Sequence, residues 1–310
     1  MALQIFILIT GIVLLYTGSW VLVEGSVSTA TMFAIRPVII GLTIVSFATS
    51  APELLVSLVA AIKGSGGISL GNILGSNAIN IALVLGVSAA IRPIPIQKQI
   101  IRIDIPCMII VSAIFWLLCI DSHIGRLDGI LLLGLLTAFL IYGLATAREK
   151  NGSSDRKEWS GQVLVKNMVF VLAGIVMLSY GANFVVQEAV RIAGAIGLSQ
   201  TFIGISVVAL GTSLPELATS AVAASKGESD LSVGNVVGSN LFNICLVMGT
   251  VGLFNPMRID PGLHTFQFPF MIFITLVLAV IAYRFQIISK LSGILLIILF
   301  ISYICFSYIQ

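Results

Sequence analysis

ATSAPELLVSLVAAIKG (Ala48–Gly64), continuing to GNILGSNAINIALVLG (Gly71–Gly86), returns 163 residues later as GTSLPELATSAVAASKG (Gly211–Gly227) and GNVVGSNLFNICLVMG (Gly234–Gly249). The register holds without a gap, so Glu53 corresponds to Glu216, Ser76 to Ser239 and Asn80 to Asn243. Between Val45 and Gly86, 23 of 42 residues are identical to their counterparts. Identity at that level and a constant offset marks an internal duplication. A weaker echo, GIVLLYTG (Gly11–Gly18) against GIVMLSYG (Gly174–Gly181), keeps the same offset further upstream.

The solvent of this duplicated chain follows from its composition. It is 58% hydrophobic and 9% charged, with a mean hydropathy of +1.12. A water-soluble domain carries about a quarter charged residues. Apolar runs long enough to cross a bilayer recur along the whole length, which predicts an all-α polytopic membrane protein. The net charge of +3 is spread over loops and offers no basic face for nucleic acid. Ten spans are predicted, near 3–23, 37–62, 68–91, 105–120, 127–147, 167–187, 201–225, 231–254, 265–283 and 291–308. The fourth is short at its charge-free core, between Asp104 and Asp121. The first lacks a basic start and a small-residue cleavage site, so it is expected to remain as a helix rather than be removed as a signal peptide.

Orientation follows from lysine and arginine. With both termini outside, 12 of the 16 basic residues fall in cytoplasmic loops, leaving Lys63, Arg126, Arg191 and Arg258 outside. That asymmetry predicts both termini outside and Arg148–Lys166 in the cytoplasm. Equivalent points of the two copies are five spans apart. An odd number turns the second copy over, giving two inverted five-helix repeats, 1–147 and 167–310, joined by a polar linker at 148–166. Inverted repeats that rock about a midplane site are a recurring transporter design.

The acidic residues narrow the chemistry. Eleven of the 13 Asp and Glu lie in loops or near predicted span ends, Glu24, Asp104 and Glu188 among them; only Glu53 and Glu216 fall mid-segment. A charged acid at that depth costs roughly 2.5–3.5 kcal/mol. A single such residue reads about a third of the time as a protonated Glu bonded to a neighbouring helix. Two at matching positions, each in a row of hydroxyls, point to a shared cation or proton site. On a helix Thr49, Glu53 and Ser57 form one stripe, repeated by Thr212, Glu216 and Ser220. Pro52 and Pro215 have no N–H, so the carbonyls of Ala48 and Gly211 lose their helical partners. The third and eighth spans add Asn72, Ser76 and Asn80, and Asn235, Ser239 and Asn243, each at four-residue spacing. Asn72 and Asn235 read as caps or cross-links, Asn77 and Asn240 as packing or structural hydrogen-bonding residues. The donor set is all oxygen, which suits hard cations such as Ca²⁺. Zinc or copper would require His or Cys. His123 and His264 read as solvated loop residues, and the four cysteines as packing.

The paired TSxPE and GNxxGSNxxN motifs resemble the α-repeats of the cation/Ca²⁺ exchanger superfamily, closest to its prokaryotic sodium/calcium exchanger branch. The resemblance spans the transmembrane chain and implies ten helices exchanging Na⁺ for Ca²⁺ by alternating access across the cell membrane. It implies Ca²⁺ ligation by Glu53 and Glu216 with the carbonyls of Thr49 and Thr212. For Na⁺ it implies these glutamates with Ser50, Ser76, Asn80, Ser213, Ser239 and the carbonyl of Ala209. Two departures stand out: Ala48 stands where many relatives have Gly, and Ser46 occupies the position matching Ala209, so the two Na⁺ pockets are expected to differ; in addition, Asn243 stands where some relatives carry Asp. Relatives that co-transport K⁺ have that Asp, so K⁺-independent exchange is expected here. No enzyme activity, cofactor or obligate protein partner is expected; the partners are Ca²⁺, Na⁺ and the lipid bilayer. Three competing readings share the acidic pair: an H⁺/Ca²⁺ antiporter, a cation channel, and an intramembrane carboxylate-dyad protease. The near symmetry of the motifs suits alternating access better than either of the last two.

Overall fold

Inside a bilayer the backbone has no water to bond to, so a chain this apolar has to satisfy its amides within helices. The computed structural model describes residues 2–147, 161–195 and 208–309, and they are largely helical. The helices are α1 (Ala2–Met32), α2 (Pro37–Thr49), α3 (Ala51–Ile62), α4 (Gly66–Ile91), α5 (Ile100–Leu118) and α6 (Arg126–Ala145). A second series follows: α7 (Gly161–Ala195), α8 (Ala209–Thr212), α9 (Leu214–Lys226), α10 (Ser229–Phe254), α11 (Gln267–Phe285) and α12 (Lys290–Ile309). Among the described residues eight of these are long and apolar enough to cross a membrane, and α2 with α3, bent by 43°, makes a ninth. The predicted seventh span starts at 201 and so lies partly outside the described residues.

Several helix ends differ from expectation. The first span runs nine residues further than predicted, to Met32, and α7 takes in 161–166 of the expected linker; the remainder of that linker, 148–160, lies outside the described residues. Helix α5 begins at Ile100, with Arg102 and Asp104 inside its first turns. Hydropathy cuts a span at a charge, but Asp104 is only 3% exposed and has the Arg36 guanidinium nearby. Arg36 is itself held by Gln99 and by the carbonyl of Thr146. Glu188, expected at a span end, is buried within α7, with Arg191 Nη1 2.7 Å from its Oε1.

The two copies interlock. Helix α1 runs antiparallel to α7 through paired glycines: a Cβ on Gly11 would stand 2.9 Å from the Gly181 carbonyl, and one on Gly174 would stand 2.9 Å from that of Gly18. Gly11 and Gly18 are themselves the counterparts of Gly174 and Gly181, so the crossing brings the start of one segment to the end of its copy. Elsewhere α4 packs on α12 at Gly86 and Gly293, while α10 packs on α6 at Gly249 and Gly129. Two antiparallel clips add short strands to an otherwise helical chain. Strand β1 (Ile94–Pro95) pairs with β4 (Ile287–Ile288), and β2 (His123–Ile124) pairs with β3 (Met257–Arg258).

Burial places α4 and α10 at the centre: 83% of the most apolar stretch of each is buried, against 17–28% in α1, α6, α7 and α12. These outer helices carry exposed Phe6, Leu131, Leu172 and Leu291. An apolar outer surface around a polar-lined middle is the arrangement a bilayer selects.

Candidate cation site

Each copy breaks one helix at the same place. Ser50 sits between α2 and α3 with φ −80° and ψ 2°, and Ser213 sits between α8 and α9 with φ −84° and ψ 3°. The cause is local: Pro52 and Pro215, two residues on, cannot donate to the preceding turn. The carbonyls of Ser46 and Ala209 cap the breaks in matching fashion. They accept the Ser50 and Ser213 N–H groups at 2.9 and 3.3 Å, and the Thr49 and Thr212 hydroxyls at 3.4 and 3.2 Å.

Glu53 and Glu216, first-turn residues of α3 and α9, are both 0% exposed and close enough to repel each other. Around them each broken helix faces the central helix of the other copy. The Thr49 and Ser239 hydroxyls are 3.2 Å apart, and those of Ser76 and Thr212 are 3.4 Å apart. Thr49 donates to Asn235 Oδ1 and Thr212 to Asn72 Oδ1, at 3.3 and 3.2 Å. The amide nitrogens of Asn72 and Asn235 bond the Ser57 and Ser220 hydroxyls at 3.0 and 2.9 Å. Asn72 and Asn235 thus cross-link helices, and Ser57 and Ser220, although on the glutamate stripes, serve that scaffold.

What remains unpaired is informative. Glu53 Oε1 accepts one long bond from Ser213 at 3.4 Å, whereas its Oε2, both oxygens of Glu216, Asn80 Oδ1, Asn243 Oδ1 and Ser50 Oγ have no partner. All belong to residues no more than 1% exposed. Each unsatisfied buried polar atom costs about 1–3 kcal/mol, so oxygens in this state are ready to accept a cation. Every member is an oxygen, and two belong to carboxylates. Among the described residues no three His, Cys, Asp or Glu converge as for a transition metal. The chemistry of the set is that of a hard cation.

Of the residues expected from sequence, the structure brings together Thr49, Ser50, Glu53, Ser76, Ala209, Thr212, Ser213, Glu216 and Ser239; Asn80 and Asn243 lie on α4 and α10 where these helices pack against α9 and α3. Ser46 is the exception in its side chain. Its hydroxyl lies 2.7 Å from the Gly41 carbonyl and 2.9 Å from that of Asn235, which commits it to holding α2 against α10. Gly238 has to be glycine there, since a Cβ would come within 2.2 Å of Ser46 Oγ. The counterpart Ala209 has no hydroxyl to do the same. Asn77 and Asn240, expected from sequence as packing or structural hydrogen-bonding residues, bond through their side chains across the α4–α10 contact. Their identity in both copies was the available sign.

The model of the sodium/calcium exchanger protein family matches residues 3–145 and 166–309, nearly the whole chain. The chain belongs to that family. It is 34% identical to the inner membrane protein YrbG of Escherichia coli, covering 92% of this chain and 90% of that protein. It is 28% identical to the sodium/calcium exchanger MaX1 of Methanosarcina acetivorans, covering 96% of each. Among solved structures it is similar to NCX_Mj, a sodium-calcium exchanger soaked with Na⁺ and Ca²⁺, at 32% identity and a TM-score of 0.85 over 98% of both chains. The family is one of exchangers rather than enzymes, and antiport of Ca²⁺ is the activity its members' names describe. This exchanger-family chain is accordingly a multi-pass membrane protein, with its helix breaks and orphaned oxygens at the centre.

Proposed function

We propose that the chain is a secondary antiporter that exchanges Na⁺ for Ca²⁺ across the cell membrane by alternating access, without K⁺. The observation that carries this reading is the buried Glu53–Glu216 pair among oxygens that have no partner within the protein. In this reading Ca²⁺ takes the two carboxylates and the carbonyls of Thr49 and Thr212. Na⁺ ions use the same carboxylates with Ser50, Ser76, Asn80, Ser213, Ser239, Asn243 and the carbonyls of Ala209 and Ser46. One Ca²⁺ or several Na⁺ neutralise the pair, but both species need the same oxygens and so exclude each other. With no ion bound, two like charges share a poorly solvated site, which opposes closure and movement of the empty protein. Loading with either species removes that penalty and permits the swap.

The proposed frame is ten helices in two inverted five-helix repeats, 1–147 and 167–310, with 148–166 between them in the cytoplasm and both termini outside. Its support is the antiparallel α1–α7 crossing, the matching breaks at Ser50 and Ser213, and the distribution of Lys and Arg. The runner-up is H⁺/Ca²⁺ antiport, in which protons replace Na⁺ on the carboxylates. One experiment separates the two: Ca²⁺ uptake by proteoliposomes under an outward Na⁺ gradient and, separately, an outward H⁺ gradient, at clamped voltage. Uptake driven by Na⁺ is expected. Uptake driven only by H⁺ would replace the proposal with the runner-up.

A further inference from the structure

A main-chain carbonyl accepts hydrogen bonds and cannot donate one. Where α4 meets α10, Asn77 Nδ2 lies 3.3 Å from the Asn240 carbonyl, and Asn240 Nδ2 lies 3.3 Å from the Asn77 carbonyl. Turning either amide over would set oxygen against oxygen, so these two contacts fix which way both side chains face. Their Oδ1 atoms must then accept. Asn77 Oδ1 takes Asn243 Nδ2 at 3.1 Å, and Asn240 Oδ1 takes Asn80 Nδ2 at 3.2 Å. With Nδ2 engaged in this way, Asn80 and Asn243 are each left with one free arm, the Oδ1 that has no partner. All four residues are 0–1% exposed, so bulk water does not reach them.

From this ring we infer that Asn77 and Asn240 are positioning residues, which hold Asn80 and Asn243 with oxygen rather than nitrogen toward the transported cation. The inference rests on the cation-site reading above. An amide free to turn would offer its NH₂ group as readily as its oxygen, and the NH₂ end repels a cation. Each amide is set by the opposite copy: Asn80 of α4 by Asn240, and Asn243 of α10 by Asn77. Asn77 and Asn240 are counterparts at the 163-residue offset, so the ring lies where the two copies meet. Both central helices also turn π-helical at the ligand residue, over Asn80–Val84 and Asn243–Met248, a widening often found at functional sites.

The test uses the full chain in proteoliposomes loaded with a series of Na⁺ concentrations, with radioactive Ca²⁺ uptake as the readout. Asn240→Leu should raise the KM for Na⁺ by about 10- to 100-fold, the usual effect of losing a residue that orients a ligand, with a smaller change in maximal rate. Asn80→Asp supplies a background in which orientation no longer matters, because both arms are oxygen. Adding Asn240→Leu to Asn80→Asp should then leave its KM within about threefold, a strong departure from additivity. An unchanged KM in Asn240→Leu alone, or the full loss repeated in the Asn80→Asp background, would overturn the positioning role. Asn77→Leu with Asn243→Asp gives the same reading through the other copy, should the first variant not assemble. Absence of Ca²⁺ uptake by the unaltered chain would overturn the exchanger proposal together with this inference. Normal uptake with additive loss overturns the positioning role alone.

Discussion

Replacing Glu216 by Gln separates the cost of the site to the fold from its value to the ion. Both Glu216 oxygens are buried without a donor. Thr49, Ser50 and Ser239 surround them with hydroxyls, and hydroxyls accept as well as donate. A Gln side chain of nearly the same shape can therefore donate to one of them, and it removes one of two repelling charges. The ion-free protein should unfold at the same temperature or higher. For the ion the balance is reversed, since one of two charges that neutralise Ca²⁺ is gone. Removing one partner of a buried charge pair costs about 3–5 kcal/mol. At about 1.4 kcal/mol per tenfold, that weakens Ca²⁺ binding by about 10²- to 10³-fold or more. Ca²⁺ at about 100 times the wild-type Kd stabilises the folded state by about 2.7 kcal/mol, and in the variant this should fall nearly to zero. The assay is thermal unfolding in detergent with and without Ca²⁺, paired with Na⁺-driven Ca²⁺ uptake. A wild-type Ca²⁺-dependent shift, or wild-type uptake, in Glu216→Gln would refute the reasoning.

Exchange should persist when all K⁺ is replaced by choline at constant membrane potential, because Asn80 and Asn243 are neutral amides and add no charge for a K⁺ to balance; loss of most of the Ca²⁺ flux would show that this charge count is wrong. Gly174→Leu should cost about 1–3 kcal/mol by overpacking, because a Cβ there already stands 2.7 Å from that of Leu22; the checks are a lower unfolding temperature and an unchanged KM for Ca²⁺ at the distant site. Arg191→Ala should destabilise by about 1.5–3 kcal/mol through the buried Glu188 it leaves without its partner, whereas Glu24→Gln, at a 51%-exposed side chain paired with Lys226, should cost about 0–1 kcal/mol; equal thermal shifts in the two variants would contradict this ranking.

How much of this was legible beforehand can be judged residue by residue. The duplication, the apolar spans and the two mid-span glutamates are properties of spacing and composition. Spacing alone put Thr49 with Glu53, and Pro52 two residues beyond the break, because helical periodicity and the missing proline N–H act within one or two turns. What lay beyond reach is set by contacts between distant segments. Thr49 meets Ser239 across 190 residues, and Ser76 meets Thr212 across 136. No local period encodes those pairings.

The same division explains the corrections. Asp104 and Glu188 carry charges that hydropathy assigns to span ends, yet each is buried where an arginine from a loop or a neighbouring turn comes close enough to compensate it. Ser46 matches Ala209 in register, but its hydroxyl is taken up by the Asn235 carbonyl, an acceptor that only the packing of α2 on α10 supplies. In the motif GSNAIN, four-residue spacing sets Asn80 on the stripe of Ser76 and leaves Asn77 off it. The fold makes one the holder and leaves the other with a free oxygen, because hydrogen bonds are directional and the facing carbonyls can only accept. The sequence by itself determined the solvent, the duplication and which oxygens are available. The tertiary structure alone decided which of them are used up within the protein and which are left for an ion.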